Sequence, residues 1–458
     1  MTRPLVMKFG GTSVADASAM SQVCRIVGNA VGSGAPAVVV VSAMSGVTDA
    51  LLAACLAARD GDIRTGENAV SGLRSRHWTA VRELFQHEGE AQLLAELAHE
   101  IDDVRAVLTS VGVLHELTAR GADRVAAAGE LMSSRILAAL LNRNGIRARW
   151  IDPRRTVVTD AAFGTASPLP VARDAVAREI RPVLESGVVA VIGGFVGASE
   201  EGITTTLGRG GSDYSAAIIG AALDASEIQI WTDVDGMLSA DPRIVPDAQP
   251  VRQLSFDEAS ELAYFGAKVL HPSTILPAVE RSIPVRILHT MRPDSPGSLI
   301  TARSSNPAPL TAIACKRNVT VVDVTSTRML LAHGFLRRVF EVFERHTTSV
   351  DVVTTSEVSV SMTLDDDRRI EAIDHDLAGL ATVRLERGMA IVSAVGDNLR
   401  SDPTIAVQVI AALGKLPLRM VSQAASRRNV TVVLSDADVP AAMSRLHSQF
   451  FARTEASV

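Results

Sequence analysis

Residues Thr204 to Ala216 have the sequence TTTLGRGGSDYSA, which places an anion-binding turn next to a cation. Glycines surround Arg209, and they permit positive φ and close backbone approach, so N–H groups can converge on an anion. An alanine-rich helix predicted to begin at Ser212 adds free N–H groups and the positive end of its dipole. Arg209 supplies a planar fork for a carboxylate or a phosphate. The stretch predicts an anion site at a turn, with a purely structural turn capped by Ser212 as the alternative.

A second glycine turn, Lys8 to Val14 (KFGGTSV), follows an apolar run that predicts a buried first strand. A lysine followed by Gly10, Gly11 and hydroxyl groups suits phosphate oxygens, because it combines a point charge with unobstructed backbone amides. The sequence contains neither the GxxxxGK[ST] pattern of a Walker A loop nor the GxGxxG dinucleotide fingerprint after a strand. Two anion-binding turns in one domain therefore indicate a phosphoryl-transfer site.

The composition limits the class of protein. The chain has 458 residues, of which 47% are hydrophobic, so it is long enough for two or three domains with a substantial core. Its net charge of −6 argues against nucleic acid as a partner. The cysteines Cys24, Cys55 and Cys315 are scattered, which suits a reducing compartment and offers no metal site. Without a signal-peptide core or a run of 18 apolar residues, we expect a cytoplasmic protein with no membrane partner.

The first 300 residues alternate short apolar runs with helical stretches, as in a three-layer α/β sandwich (αβα). The expected strands are Leu5–Lys8, Ala37–Val41, Arg149–Ile151, Val188–Ile192, Ile228–Thr232 and Val285–Leu288. The expected helices are Ala17–Val31, Thr48–Ala58, Arg124–Asn142, Ala172–Glu185, Tyr214–Leu223 and Leu270–Arg281. Between them, Gly66 to Arg120 has helical spacing and no strand signal, which predicts a helical insertion.

The pattern changes after a stretch rich in proline and serine, Pro293 to Pro309, which predicts a linker. Beyond it the order of elements becomes β-α-β-β-α-β and is then repeated, which predicts two ferredoxin-like units in tandem. We expect a catalytic domain over residues 1–295, a linker over 296–310, and two units over 311–388 and 389–458. The two units are expected to be interleaved, with 311–324 joining the second.

Four further segments carry polar groups toward the same site. Ser42 to Asp49 (SAMSGVTD) follows the second strand, and in an open α/β sheet ligands bind at such carboxyl ends. Glu130, in the GELMS segment, is a candidate fixed anion in an otherwise apolar helix start. Trp231 to Arg243 (WTDVDG…DPR) forms a polar loop, and Phe265 to Pro272 (FGAKVLHP) offers a second lysine beside a glycine.

Together these residues resemble one family, the aspartate kinases, which have the amino acid kinase fold. The six motifs occur in the order and spacing of that family. The segment Gly334 to Val360 resembles the paired regulatory ACT domains, and the whole chain looks most like the stand-alone, lysine-sensitive form. The resemblance implies phosphorylation of the side-chain carboxylate of L-aspartate by ATP with Mg²⁺, giving 4-phospho-L-aspartate for lysine, threonine and methionine synthesis. An aspartate carboxylate is already ionised at pH 7, so the reaction needs positioning and charge neutralisation more than a base.

The resemblance also implies a role for each matching residue. Lys8 is expected to hold the phosphoryl group in transit beside the amides of Gly10 and Gly11, with Asp213 orienting Lys8. Arg209 is expected to bind the α-carboxylate of aspartate and Glu130 its α-ammonium. The remaining substrate residues are Thr48, Phe195 and Ser212, and the remaining nucleotide residues are Thr232, Asp233, Arg243, Lys268 and Val269. Asp235 and Leu238 stand where lysine-sensitive relatives carry proline and tyrosine, a departure that concerns the adenine contact.

In the resembling family the first ACT unit binds an amino-acid effector at a dimer interface, so a homodimer or a dimer of dimers is implied. The matching positions are Met329, Leu336, Ser349, Val350, Asp351, Thr355 and Ser356. Lysine is the expected effector, with threonine as the alternative because Ala332 replaces a serine of the lysine-sensitive form. Two other functions stay open at this point: a kinase for another carboxylate such as glutamate, and a non-catalytic subunit that senses an amino acid.

Overall fold

A computed structural model of the chain describes residues 2–86, 89–266, 270–304, 308–329, 333–397, 399, 402–423 and 427–451. The chain forms two compact units. The first unit contains Met1–Met237 and Leu270–Ala302, and the second contains Leu238–Val269 and Arg303–Val458.

The strands in chain order are β1 (Leu5–Phe9), β2 (Ala37–Val41), β3 (Ala148–Ile151), β4 (Val158–Thr159), β5 (Val189–Gly193), β6 (Val196–Ser199), β7 (Thr204–Thr206), β8 (Glu227–Thr232), β9 (Gln253–Ser255), β10 (Val285–His289), β11 (Ser298–Thr301), β12 (Ala312–Thr325), β13 (Val353–Thr355), β14 (Ser359–Leu364), β15 (Thr382–Val395), β16 (Met420–Ser422) and β17 (Asn429–Ser435). The helices are α1 (Ala17–Gly32), α2 (Val47–Arg59), α3 (Ile63–Phe85), α4 (Glu90–Leu114), α5 (Ala119–Ala126), α6 (Ala128–Arg143), α7 (Ala172–Glu185), α8 (Gly211–Leu223), α9 (Phe256–Tyr264), α10 (Leu276–Glu280), α11 (Phe335–Arg345), α12 (Ile370–Ala378), α13 (Pro403–Leu413) and α14 (Val439–Phe451).

The main sheet of the first unit has the strand order β3-β5-β2-β1-β8-β10-β11. Its pairs are parallel except for β10 and β11. Strand β2 has the sequence AVVVV and is buried at every position, as expected for a parallel strand covered on both faces. The predicted α/β sandwich is therefore confirmed, and the carboxyl ends of its central strands share one edge.

The helical insertion is also present, as α3, α4 and α5. Two predicted helices differ from the structure. The helix expected over Arg124–Asn142 is divided between α5 and α6. The one expected over Leu270–Arg281 is reduced to a 3₁₀ turn, Pro272–Ile275, followed by α10, because Pro272 and Pro277 lack the N–H groups that a continuous helix needs.

The second unit contains a six-stranded antiparallel sheet with the order β13-β14-β12-β15-β17-β16. Strands β12 and β15 are long and pass through both predicted modules. The first half of β12 packs in the core of the second module through Ile313, and its second half packs in the core of the first module through Val322 and Val324. The two halves of β12 thus pack in different cores, whereas the sequence pattern predicts that the whole segment 311–324 joins the second module. The register shifts between the halves, near Asn318, which has a φ of 56°.

The segment 238–269 belongs to the second unit, although the sequence pattern places it in the catalytic domain. Its helix α9 begins with a capping box between Ser255 and Glu258, and Glu258 also accepts a hydrogen bond from Thr311. The stretch expected to be a linker contains β11, which pairs with β10 in the first unit. Within the part of the chain that the structure describes, none of the helices combines the length and the apolar character that a membrane span needs.

Candidate active site

A cleft of about 890 Å³ lies at the edge of the first unit where the central strands end. Strands β1, β2, β5 and β8 are neighbours in the sheet, and residues at or just after their carboxyl ends line the cleft. These are Gly10, Gly11, Ser42, Phe195 and Thr232. Because polar turns from separate parts of the chain converge there, the cleft is the candidate active site.

Lys8 and Asp213 form the central ion pair of the cleft. Nζ of Lys8 lies 2.7 Å from Oδ1 of Asp213, and the two side chains are only 11% and 15% exposed. Lys8 is the fourth residue of β1, whereas Asp213 lies in the first turn of α8. The packing of α8 against the sheet therefore fixes the lysine ammonium between the two glycine turns.

The turn before α8 has the backbone that its glycines predict. Gly208 and Gly210 have φ angles of 73° and 72°, and Gly210 caps the helix. Ser212 is buried in the first turn, where its N–H group is one of those that lack a helical partner. Arg209 is exposed and lines the cleft, without an ion pair to the described residues. A guanidinium and a helix N-terminus thus face the same space.

Glu130 is the buried anion of the site. It lies in the first turn of α6 and is 4% exposed, and its Oε2 has no hydrogen-bond partner among the described residues. Burial raises the pKa of Glu130 to about 8, against the opposing effects of the Ala43 and Glu130 amides and the Lys8 charge. A carboxyl group that lines a cleft with a free oxygen is suited to receive a ligand cation.

Two positioning contacts could not be predicted from sequence. The Asp123 carboxylate is buried and accepts hydrogen bonds from the Thr206 backbone N–H (2.9 Å), the Thr206 hydroxyl (2.7 Å) and the Gly164 N–H (3.0 Å). Phe195 has a φ of 65°, and its N–H donates to the hydroxyl of Ser215 on α8. Both contacts join segments that are distant in sequence, so no local sequence pattern predicts them.

The predicted nucleotide residues are distributed between the two units. Thr232 and Asp233 line the cleft, and the Thr232 hydroxyl donates to Asp233 at 3.1 Å. Arg243 belongs to the second unit and forms an ion pair with Asp241. Lys268 and Val269, together with Ala332 of the regulatory region, lie outside the described residues. Among the other predicted substrate residues, Thr48 and Phe195 line the cleft.

The predicted effector residues lie in the second unit, around α11, β13 and the turn between them. Most are exposed or half-buried: Met329, Leu336, Ser349, Val350, Thr355 and Ser356. Asp351 differs, because its side chain is 3% exposed and both of its oxygens lie 3.1 Å from Nζ of Lys316.

Comparison with known proteins identifies both parts of the chain. The amino acid kinase family matches residues 3–289, and an ACT domain matches residues 392–450. The lysine-sensitive aspartokinase 3 of Escherichia coli strain K12 is 35% identical over 466 residues, covering 98% of this chain and all of that protein. The chloroplastic aspartokinase 3 of Arabidopsis thaliana is 39% identical over 97% of this chain and 81% of its own length.

A solved structure gives the same result. The crystal structure of E. coli aspartokinase III in complex with aspartate and ADP (R-state) is similar with a TM-score of 0.83 and 34% identity, covering 98% of this chain and 100% of that one. The same enzyme in complex with lysine and aspartate (T-state) gives a TM-score of 0.81. From the family match over the larger part of the sequence and the full-length similarity to these enzymes, the chain belongs to the aspartokinases of the amino acid kinase family.

Proposed function

We propose that the cleft of the first unit carries the aspartate kinase activity of this chain. A side-chain carboxylate oxygen of L-aspartate attacks the γ-phosphorus of ATP, the bond to the bridging oxygen breaks, and ADP leaves. The product is 4-phospho-L-aspartate. The observation that supports this most is the convergence of the Lys8–Asp213 ion pair, the buried Glu130 and the N-terminus of α8 on one cleft.

Substrate binding rests on two charges of opposite sign. The ionised carboxylate of Glu130 receives the α-ammonium of aspartate, which explains a buried carboxyl group with an unpartnered oxygen. Arg209 and the N–H groups at the start of α8 receive the α-carboxylate. Thr48, Phe195 and Ser212 line the pocket between these groups. The side-chain carboxylate is thereby directed toward Lys8.

Phosphoryl transfer brings one anion onto another, so catalysis requires cations and amide dipoles at the transferring group. Lys8 supplies the charge, and Asp213 holds its ammonium in place. A Cβ on Gly10 would be in van der Waals contact with Nζ of Lys8, at 3.6 Å, so the glycine leaves this side of the ammonium uncovered. No group in this set has to remove a proton, since the attacking carboxylate is already ionised at pH 7.

Thr232 and Asp233 are proposed to bind the nucleotide in the cleft. The family resemblance assigns the same role to Arg243, Lys268 and Val269. Within the described residues there is no group of three or more acidic, histidine or cysteine side chains that could enclose a metal ion. This fits Mg²⁺, which usually keeps several waters and binds through substrate phosphates and one or two carboxylates. Asp213 or Asp233 would supply such a carboxylate, and the ion would neutralise charge on the phosphates.

The ACT region is proposed to bind L-lysine, which lowers the activity by favouring an inactive arrangement of a dimer. The relative from E. coli is named lysine-sensitive, and one of its structures is a complex with lysine. The first module exposes apolar side chains on α11 and on its edge strand β13, namely Leu336, Phe340 and Val353. Such a surface next to the predicted effector residues supports a dimer formed through this module.

Trapping of the acyl phosphate with hydroxylamine tests the proposal. The assay contains ATP, magnesium and either L-aspartate or L-glutamate, with and without lysine or threonine. Signal with aspartate alone, suppressed by lysine, is the expected result. Equal signal with glutamate would indicate a kinase for another carboxylate, and no signal with either would indicate a regulatory subunit. Suppression of the signal by threonine but not by lysine would identify threonine as the effector.

A further inference from the structure

The carboxylate of Asp351 is occupied by groups of its own unit. Lys316 places Nζ 3.1 Å from each of its oxygens, and the hydroxyl of Tyr264 donates to Oδ1 at 2.7 Å. Burial, followed by the hydrogen bond to Asp351, raises the pKa of Tyr264, so the phenol keeps its proton and donates. An effector ammonium that reaches Asp351 therefore meets another ammonium already bound there.

Lys316 has a second carboxylate within reach. Its Nζ also lies 3.1 Å from Oδ2 of Asp365, which is 45% exposed, whereas Asp351 is almost fully buried. One ammonium is thus shared by two carboxylates, and the group carries one excess negative charge. A second cation can enter at Asp351 while Lys316 keeps a partner in Asp365, and the excess negative charge is then neutralised.

Tyr264 contacts this group and precedes, in sequence, the proposed nucleotide-binding segment Lys268–Val269. The Lys316 ammonium lies 4.6 Å from the centre of the Tyr264 ring. It also lies beside Asp351, which accepts the hydrogen bond of the Tyr264 hydroxyl. Tyr264 is the last residue of α9, and Lys268 and Val269 follow closely in sequence.

A backbone contact lies beside the same group. A Cβ on Gly266, whose φ is 112°, would be 2.3 Å from the carbonyl oxygen of Cys315, the residue before Lys316. The chain after α9 is thus packed directly against the strand that carries Lys316.

We infer that Lys316 is an internal counter-ion that an effector ammonium displaces from Asp351 toward Asp365, and that Tyr264 transmits this exchange to the nucleotide-binding segment. This inference rests on the proposed lysine regulation, in which Lys316, Asp365 and Tyr264 would be positioning residues. It explains why a buried carboxylate suited to an amino group already has a lysine partner in the free chain. Lysine binding would then act mainly on the KM for ATP.

Two variants with opposite expected effects on lysine binding test the exchange. Lys316→Met removes the competitor, so calorimetry should show lysine binding about threefold to tenfold more tightly than to the wild type. Asp365→Asn removes the alternative partner, so lysine should bind about threefold to tenfold more weakly. A merely structural ion pair would make both variants bind more weakly. Arg317→Met, which removes the neighbouring exposed pair with Asp436, is the control and should leave binding unchanged.

Tyr264→Phe tests the transmission. The affinity of this variant for lysine should be within about twofold of that of the wild type. The increase in KM for ATP that lysine causes should be at least fivefold smaller in the variant. Arg317→Met, which lies outside the group, is again the control and should keep the wild-type effect of lysine on the KM for ATP. If the wild type neither binds lysine nor is inhibited by it, the proposed effector and the exchange both fail. If the wild type is inhibited and Lys316→Met binds lysine no more tightly, or Tyr264→Phe keeps full inhibition, only this inference fails. Should Lys316→Met not fold, Lys316→Gln, which also removes the competing charge, replaces it and should likewise bind lysine more tightly than the wild type.

Discussion

The ammonium of Lys8 and the carboxylate of Asp213 lie 2.7 Å apart, one near the end of β1 and the other in the first turn of α8. Lys8 stands just before the first glycine turn of the cleft and Asp213 just after the second, so the pair joins the two turns. Because neither side chain is more than 15% exposed, each one determines where the other can stand. The pair is therefore expected to act as one unit in catalysis.

Replacement of Lys8 by methionine should lower kcat by roughly 10²–10³-fold, since it removes a fixed cation from the transferring phosphoryl group. Asp213→Asn should lower kcat less, because the ammonium remains but loses its fixed position. The double variant should be no worse than Lys8→Met alone, as for residues that act together. Steady-state kinetics with coupled ADP detection would measure all three.

The matched control for that series is Lys415→Met, which changes an exposed lysine of the second unit. It should keep wild-type kcat. Additive losses in the Lys8 and Asp213 variants would mean that the two residues act independently, and an unchanged kcat in Lys8→Met would remove the lysine from the mechanism.

Glu130→Gln should make the unliganded protein more stable while it weakens aspartate binding. The folded-state pKa of Glu130 is raised from 4.5 to about 8, so the stability that its neutral form contributes is complete below pH 4.5 and is lost as the pH rises through 8. Above pH 8 the variant avoids a buried charge that costs on the order of 1.4 kcal/mol for each unit of pKa shift.

Thermal unfolding at pH 6 and pH 8.5 would check this, with an increase in Tm that is larger at the higher pH. At pH 8.5, where Glu130 is largely ionised, aspartate should raise the Tm of the wild type and not that of the variant. Glu67→Gln, on the exposed face of α3, is the control and should change neither. A Glu130→Gln protein that is less stable at pH 8.5 would show that the carboxylate is a structural partner instead.

The apparent affinity for aspartate should rise with pH. Only ionised Glu130 can pair with the α-ammonium, and a pKa near 8 leaves most of the carboxyl groups neutral at pH 7. Below that pKa, kcat/KM for aspartate at saturating ATP should increase by up to about tenfold per pH unit and then level off. In Glu130→Gln the profile should lose this limb. A wild-type profile that is flat from pH 6.5 to 8.5 would contradict the assignment.

The glycine turns, Lys8 and Arg209 could be predicted from sequence because their chemistry is local. A cation beside consecutive glycines or before an alanine-rich helix can form an anion site from neighbouring residues alone, and two such turns in one domain favour that interpretation over a structural turn. The parallel sheet follows similarly from runs such as AVVVV. Asp123 could not be found in this way, since its three donors come from Gly164 and Thr206, which only the tertiary fold brings near α5.

The boundary of the second unit was equally inaccessible. Residues 238–269 carry kinase-type motifs, but tertiary contacts place them with the C-terminal modules. One such contact is the hydrogen bond from Asn429 to Glu261 at 2.6 Å, and another is the ion pair of Arg428 with Asp257 at 2.8 Å. Sequence motifs report chemistry, whereas membership in a compact unit depends on partners that lie far away along the chain.

Asp123 offers a test of a residue that positions the turn carrying Arg209. Asp123→Ala leaves two backbone N–H groups and one hydroxyl without their acceptor, which should cost about 2–4 kcal/mol of stability. Because β7 leads directly into the turn that carries Arg209, KM for aspartate should also rise. Asp123→Asn should be milder, since its amide oxygen can accept both N–H groups and the Thr206 hydroxyl can rotate to accept from the amide nitrogen.

Asp62→Ala is the control, because Asp62 binds the N–H and the hydroxyl of Thr65 in the same way but does not line the cleft. The Asp62→Ala change should lower the free energy of unfolding by about 1 kcal/mol, as for a lost helix cap, and should leave KM for aspartate unchanged. If Asp123→Ala lost stability with an unchanged KM for aspartate, the hydrogen bonds of Asp123 would stabilise the fold alone and the Arg209 turn would keep its position without them.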